Sequence, residues 1–135
     1  MYANTSEIPQ KWYPEYKGPW SPWGSTQQAY VICRGVRLVS TASHGGLKIS
    51  EKLAEKTLSV LARSYAIHAN GAYWFEEDCL CAMAYYEQPS WMKPFLEPNE
   101  SLPLETCLKT LQMYYPEYLV QRGLVTNIPP QVLPE

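Results

Sequence analysis

The sequence predicts an α+β fold: a small antiparallel sheet of three to four strands with two or three helices packed on one face. Three observations carry this expectation. Ala29-Tyr-Val-Ile-Cys33 and Val36-Arg-Leu-Val-Ser-Thr41 are two β-rich runs joined by the tight Arg34-Gly35 turn. Behind them, Leu53, Leu58, Leu61 and Tyr65, helped by Ala54 and Ala62, recur at helical spacing. Near the C-terminus Leu104, Cys107, Leu108, Leu111, Tyr114 and Tyr115 form a second helical stripe.

Taken in order, residues 1–27 form a lead with four prolines and two glycines, which forbid a long helix. It is expected to run extended over the domain with Trp20 and Trp23 tucked in, either as an aromatic docking arm or as a wrap that completes the core. A single α+β domain spans residues 28–123, and residues 124–135 are a Pro-containing tail. A third strand, Leu47-Lys-Ile-Ser50, follows the His44-Gly-Gly46 turn and completes a meander. Ser50 reads as the N-cap of a helix that runs to about Ser64, with Glu51 in its first turn.

Ile67 to Gly71 reads as a loop closed by an Asn70-Gly71 turn. Tyr73 to Phe75 is a short strand or the approach to a helix that starts near Glu76. Phe75, Cys79, Ala82 and Tyr86 keep helical spacing up to Gln88-Pro89. A proline-broken loop leads to the last helix, which begins near Pro103 and ends at Tyr115-Pro116. A further helical turn reaches Arg122-Gly123.

Composition excludes more than it identifies. The 135 residues are 46% hydrophobic and 18% charged, enough for one domain with its own core. With 5 Trp, 11 Tyr and 12 Pro, some large aromatics must reach the surface, where Tyr and Trp serve interfaces. A net charge of −2 gives no footprint for nucleic acid and is too mild for a carboxylate-coated DNA mimic. Glu7 and Pro9 interrupt the N-terminus where a signal peptide needs an apolar run, and nothing approaches the length of a membrane span. The expected setting is therefore the cytoplasm, with reduced thiols.

Cys33 and Cys107 read as core positions. There is no C-x-x-C pair, and on a helix Cys79 and Cys81 would point to nearly opposite sides, so no metal is expected. No phosphate-cradling glycine loop, zinc-protease, nucleophile-elbow or deaminase pattern is present, and no cofactor is expected.

Two stretches exceed what a core needs. Ser40-Thr-Ala-Ser-His-Gly-Gly46 sets a lone histidine before two glycines at a strand end. His44 there is a natural general acid or base, and Gly45 and Gly46 permit close approach of a ligand or another backbone. The plainer reading is a hairpin loop with the histidine capping carbonyls. Ala72-Tyr-Trp-Phe-Glu-Glu-Asp-Cys-Leu-Cys81 packs aromatics against Glu76, Glu77 and Asp78. Acids in a first turn complement the helix dipole, while acids beside Trp74 and Phe75 gain proton affinity by desolvation. Cys79 is a nucleophile candidate opposed by those acids, or a small core residue. His68 has no partner legible in the sequence.

Pro22-Trp-Gly24, Ser40-Thr-Ala-Ser-His-Gly-Gly46 and Gly71-Ala-Tyr-Trp-Phe-Glu-Glu-Asp-Cys79 together resemble an uncharacterised domain family found in proteins of phages, plasmids and other mobile elements. The resemblance covers about residues 20–90, and an inserted Ala-Tyr separates Gly71 from Trp74. It implies a phage or plasmid accessory protein that blunts host defence, with no chemistry attached.

Three function classes follow. The first is a non-enzymatic accessory protein that binds a host protein, with Trp20, Trp23, His44, Gly45, Gly46 and Trp74 as binding residues. The second is a hydrolase or transferase using His44 with Glu76, Glu77 or Asp78, and Cys79. The third is a structural or assembly component of a phage particle.

Overall fold

The computed structural model describes the backbone of residues 12–14 and all of residues 19–124. Most of the N-terminal lead (1–11 and 15–18) and the tail (125–135) lie outside the described residues.

Eight strands appear among the described residues. They are β1 (Trp12–Pro14), β2 (Trp20–Ser21), β3 (Gly24–Ser25), β4 (Gln28–Cys33), β5 (Val36–Ser40), β6 (Gly45–Ser50), β7 (Ile67–Ala69) and β8 (Ala72–Glu76). Six of them form one antiparallel sheet in the order β1-β4-β5-β6-β8-β7, and β2 pairs with β3 as a separate ribbon. The expected meander is its centre, but the sheet is wider than three to four strands. The additions are the Pro-rich lead at one edge and the β7–β8 hairpin at the other. Asn70 (φ 51°) and Gly71 (φ 74°) make that hairpin turn, so the expected loop at Ile67–Gly71 is a strand and a tight turn.

The helices are α1 (Glu51–Thr57), α2 (Val60–Tyr65), α3 (Cys81–Glu87), α4 (Leu104–Tyr114) and α5 (Pro116–Gln121), with a 3₁₀ helix at Pro89–Phe95. The single helix expected from Ser50 to Ser64 is broken. Leu58 is extended (φ −109°, ψ 147°), and the Ser59 hydroxyl accepts from the Ala62 N–H at 2.9 Å, starting a second helix. Ser50 holds the N-cap position without a side-chain bond.

The period-two alternation divides the sheet into two unequal faces. Tyr30, Ile32, Val36, Leu47, Ile49 and Phe75 point toward the helices and form the main core with Met83, Leu111 and Tyr118. Ala29, Val39, Ala72 and Trp74 point the other way into a small second core closed by Trp23. Cys107 is buried as expected, but Cys33 is exposed. A bulge between Val31 and Cys33 shifts the register there and turns the residue outward. In α4, Cys107 and Leu111 face the core, whereas Leu104 and Tyr114 are exposed because the stripe is narrower than its apolar pattern.

Candidate functional site

The two unusual stretches meet. β6 lies beside β8 with Gly46 opposite Glu76 and Leu47 opposite Phe75, and the Glu77 N–H donates to Gly45 O at 2.9 Å. The Pro22-Trp-Gly24 stretch joins them from above. Trp23 and Trp20 each meet the Trp74 ring edge-on, with centroids 5.8 and 5.6 Å away. Trp74 is 1% exposed, and its Nε1–H donates to Ala69 O at 2.9 Å. Such pairs add about 0.5–1.5 kcal/mol each beyond area burial.

The glycines have a steric task here. A Cβ on Gly46 would collide with Phe75 O and lie 2.7 Å from Trp23 Cη2 and 3.0 Å from Glu76 Cα. One on Gly45 would collide with Val39 O. Both glycines are buried, and what approaches them is the protein's own backbone, the Trp23 ring and, at Gly45, the Glu77 carboxylate.

His44 stands outside this packing. Its backbone is held by Thr41, whose N–H (2.8 Å) and hydroxyl (2.6 Å) both donate to His44 O, and whose hydroxyl oxygen accepts from the His44 N–H at 3.1 Å. Thr41, and not the histidine, closes the hairpin loop. Among the described residues, no hydrogen bond or ion pair joins the exposed His44 ring to Glu76, Glu77 or Asp78.

The acids precede a helix instead of opening one. Glu76 ends β8, and the turn at 77–80 separates it from α3, whose N-cap position is Leu80 with no side-chain bond. The expected helix start near Glu76 is therefore corrected to Cys81, because Ala72–Glu76 is taken up in the sheet. Glu76 instead accepts from the Asp78 N–H at 3.1 Å and braces the turn. Glu77 and Asp78 are exposed.

Cys79 sits in this turn half-buried, and desolvation, with Glu76 and Asp78 adding to it, holds its thiol above the ordinary range. That opposes a thiolate nucleophile. The fully buried thiol is Cys81, whose Sγ–H donates to Phe75 O at 3.2 Å and whose proton is held tightly by burial. The cavity of about 570 Å³ lined by Arg34, Lys52 and Lys56 includes none of His44, the three acids or Cys79. Among the described residues no cluster of three or more His, Cys, Asp or Glu side chains could hold a metal, and no helix is long and apolar enough to cross a membrane.

Two polar arrangements escape the sequence reading. The His68 Nε2 meets the Glu51 carboxylate, and its ring stacks on Tyr73 at 4.1 Å, tying β7 to α1. His68 finds this partner only once β7 pairs with β8, which the pattern does not announce.

The second is Glu87, whose side chain is 5% exposed. It accepts from the Ser59 N–H and hydroxyl, both at 2.7 Å, and from the Tyr118 hydroxyl at 2.5 Å, with Arg122 Nε at 3.4 Å. Burial, then the bond to Glu87, raises the Tyr118 phenol above its usual range. One signal is available in the sequence: Glu87 ends a helix, where the dipole disfavours an acid lacking a specific partner.

Comparison with known proteins adds the lineage. The family described as Domain of unknown function (DUF7007) matches residues 17–126. No curated protein and no solved structure matches the chain. The matched region extends past the span of the motif resemblance and takes in α4 and α5. The chain belongs to this uncharacterised domain family.

Proposed function

We propose that the protein is a small accessory protein of a phage or other mobile element that acts by binding a host protein, as an inhibitor of host defence. One observation carries the binding part. The glycines and the tryptophans Trp23 and Trp74 that stand out in the sequence are consumed in packing, while no described acid pairs with the His44 ring. A histidine without a paired acid suits recognition better than turnover. The mobile-element context rests on the motif resemblance alone.

The binding surface in this reading is the exposed rim of the tryptophan cluster. Trp20 keeps 51% of its surface exposed, and Ser43, His44, Glu77 and Asp78 are exposed on the adjoining loops. A tryptophan braced from behind by another ring loses little entropy on binding and makes a good anchor.

The test is affinity capture from a host lysate followed by reconstitution with the purified partner. The expected result is one stoichiometric partner whose affinity falls by about 30-fold with Trp20→Ala and by a smaller factor with His44→Ala. Recovery of no partner, or a partner indifferent to both substitutions, overturns the reading. Self-assembled rings or fibres in place of a complex would favour a particle component.

A further inference from the structure

The charges along β6 and β8 are segregated. Glu76, Glu77 and Asp78 lie at the Gly46 end, whereas cations gather at the opposite end, where Ser50 faces Ala72. There a cavity of about 570 Å³ is lined by Arg34, Lys52, Lys56, Ser50 and Gly35. A second, of about 340 Å³, shares Gly35 and Ser50 and adds Lys48, Arg37 and Asn70. We infer that the two adjoining cavities bind a ligand carrying successive phosphate groups, such as a nucleoside triphosphate or the backbone of a single-stranded nucleic acid.

Several features support this chemistry. Arg34, Lys48, Lys52 and Lys56 form no ion pair with any described carboxylate. On α1, Glu51 and Glu55 carry the opposing charge, with Glu51 held on the β7 side by its contact with His68. Lys52 and Lys56 are one helical turn apart on the same side, a spacing suited to successive phosphates.

The Ser50 hydroxyl, on the seam between the cavities, has no hydrogen-bond partner among the described residues. It is a neutral donor set among cations and can donate to an anionic oxygen. Gly35 keeps the seam open: at φ +89°, a Cβ there would come within 2.9 Å of the Ser50 hydroxyl and 3.1 Å of Leu53 Cδ2. Lys48 is fixed from below by the Trp74 ring, 5.3 Å from its centroid, which orients the ammonium before any ligand arrives.

A lone carboxylate could not balance this charge, whereas two or three successive phosphates could. The volume suits a nucleotide. The overall charge of −2 conceals the site, because net charge averages over both ends of the sheet. This inference does not depend on the partner proposed above.

The experiment measures binding of sodium tripolyphosphate, ATP and a fluorescein-labelled single-stranded dodecanucleotide to three full-length proteins. These are the wild type, Lys52→Gln/Lys56→Gln, and Lys93→Gln/Lys109→Gln as a control with the same charge loss elsewhere. All four lysines are exposed, so the variants should keep the wild-type circular dichroism.

The first variant should bind about tenfold or more weakly and lower the salt dependence of log Kd by about two units, while the control stays at the wild-type value. Binding of ATP but not the oligonucleotide identifies a nucleotide, and the converse identifies a nucleic-acid backbone. No saturation by any of the three below about 1 mM overturns the inference. Equal loss in both variants does so as well, as does a hexaglutamate peptide that binds as tightly as ATP.

Discussion

Replacing Gly46 by alanine tests the packing account of the signature residues most directly. The new Cβ would collide with Phe75 O and sit 2.7 Å from Trp23 Cη2 and 3.0 Å from Glu76 Cα. Two of these three neighbours are backbone, and the third is a ring held against Trp74. Ordinary contact requires the Trp23 ring to retreat by roughly 0.7 Å and β8 to move away from β6.

Overpacking of this kind costs about 1–3 kcal/mol, and weakening the Trp23–Trp74 edge contact adds about 0.5–1.5 kcal/mol. A total near 3 kcal/mol should lower the urea midpoint by about 1.5–2 M at an m-value of about 1.5–2 kcal/mol/M, and Tm by roughly 10 °C. Tryptophan fluorescence during urea unfolding reads it. In a Trp23→Ala background the same substitution should cost about 1 kcal/mol less, because one of the obstructing groups is gone. A midpoint shift below about 0.3 M would refute the reasoning. An equal penalty in both backgrounds would show that Gly46 does not make room for the ring.

Other outcomes follow from the same contacts. Glu87→Gln should destabilise by about 3 kcal/mol, since an amide can neither receive all the donors converging there nor pair with Arg122. A loss below about 1 kcal/mol by chemical denaturation would contradict the arrangement. His44→Ala should change stability by less than about 0.5 kcal/mol while Thr41→Ala costs about 1 kcal/mol, a difference that calorimetry resolves.

Iodoacetamide at neutral pH should label the exposed Cys33 first and Cys79 slowly. Cys81 and Cys107 should be labelled only on unfolding, and peptide mapping would detect the opposite order. The folded state also holds protons on Cys81 and Tyr118 that the unfolded chain releases at lower pH. Stability is therefore fully present below the ordinary thiol value of 9.0 and declines as pH rises through that value and the phenol value of 10.0. A urea midpoint that rises between pH 8 and about 10.5 would reverse the sign of this argument.

The legible parts of the fold share one property: each keeps exposed polar residues in its pattern. β5 alternates Val36 and Leu38 with Arg37, and α4 sets Cys107 and Leu111 against Glu105 and Lys109, so their periods are visible. β8 is hidden because it is covered on both faces. Ala72, Tyr73, Trp74 and Phe75 are all buried, half toward the helices and half toward the tryptophan ribbon, which erases the alternation. The helix break at Leu58 is hidden for a similar reason, since Leu58 remains buried and preserves the stripe across a non-helical residue.

The candidate site is legible in part. The two signature stretches stand out by their residues, but neither their adjacency across β6 and β8 nor the role of the glycines can be read there. Close approach of a ligand and close approach of the protein's own strand leave the same mark in a sequence. The cationic end is invisible because Arg34, Lys48 and the α1 lysines come from separate elements that the sheet alone brings together.

The perpendicular contacts of Trp20 and Trp23 with Trp74 have an optical consequence. Indole rings held at fixed angles in asymmetric surroundings become optically active in the near ultraviolet. The near-ultraviolet circular dichroism of the folded chain should therefore carry a strong signal from this cluster. Undocking of the β2–β3 ribbon would erase that signal while the far-ultraviolet spectrum of the main sheet and helices persists. Local opening of the signature region can thus be followed separately from global unfolding, without any added label.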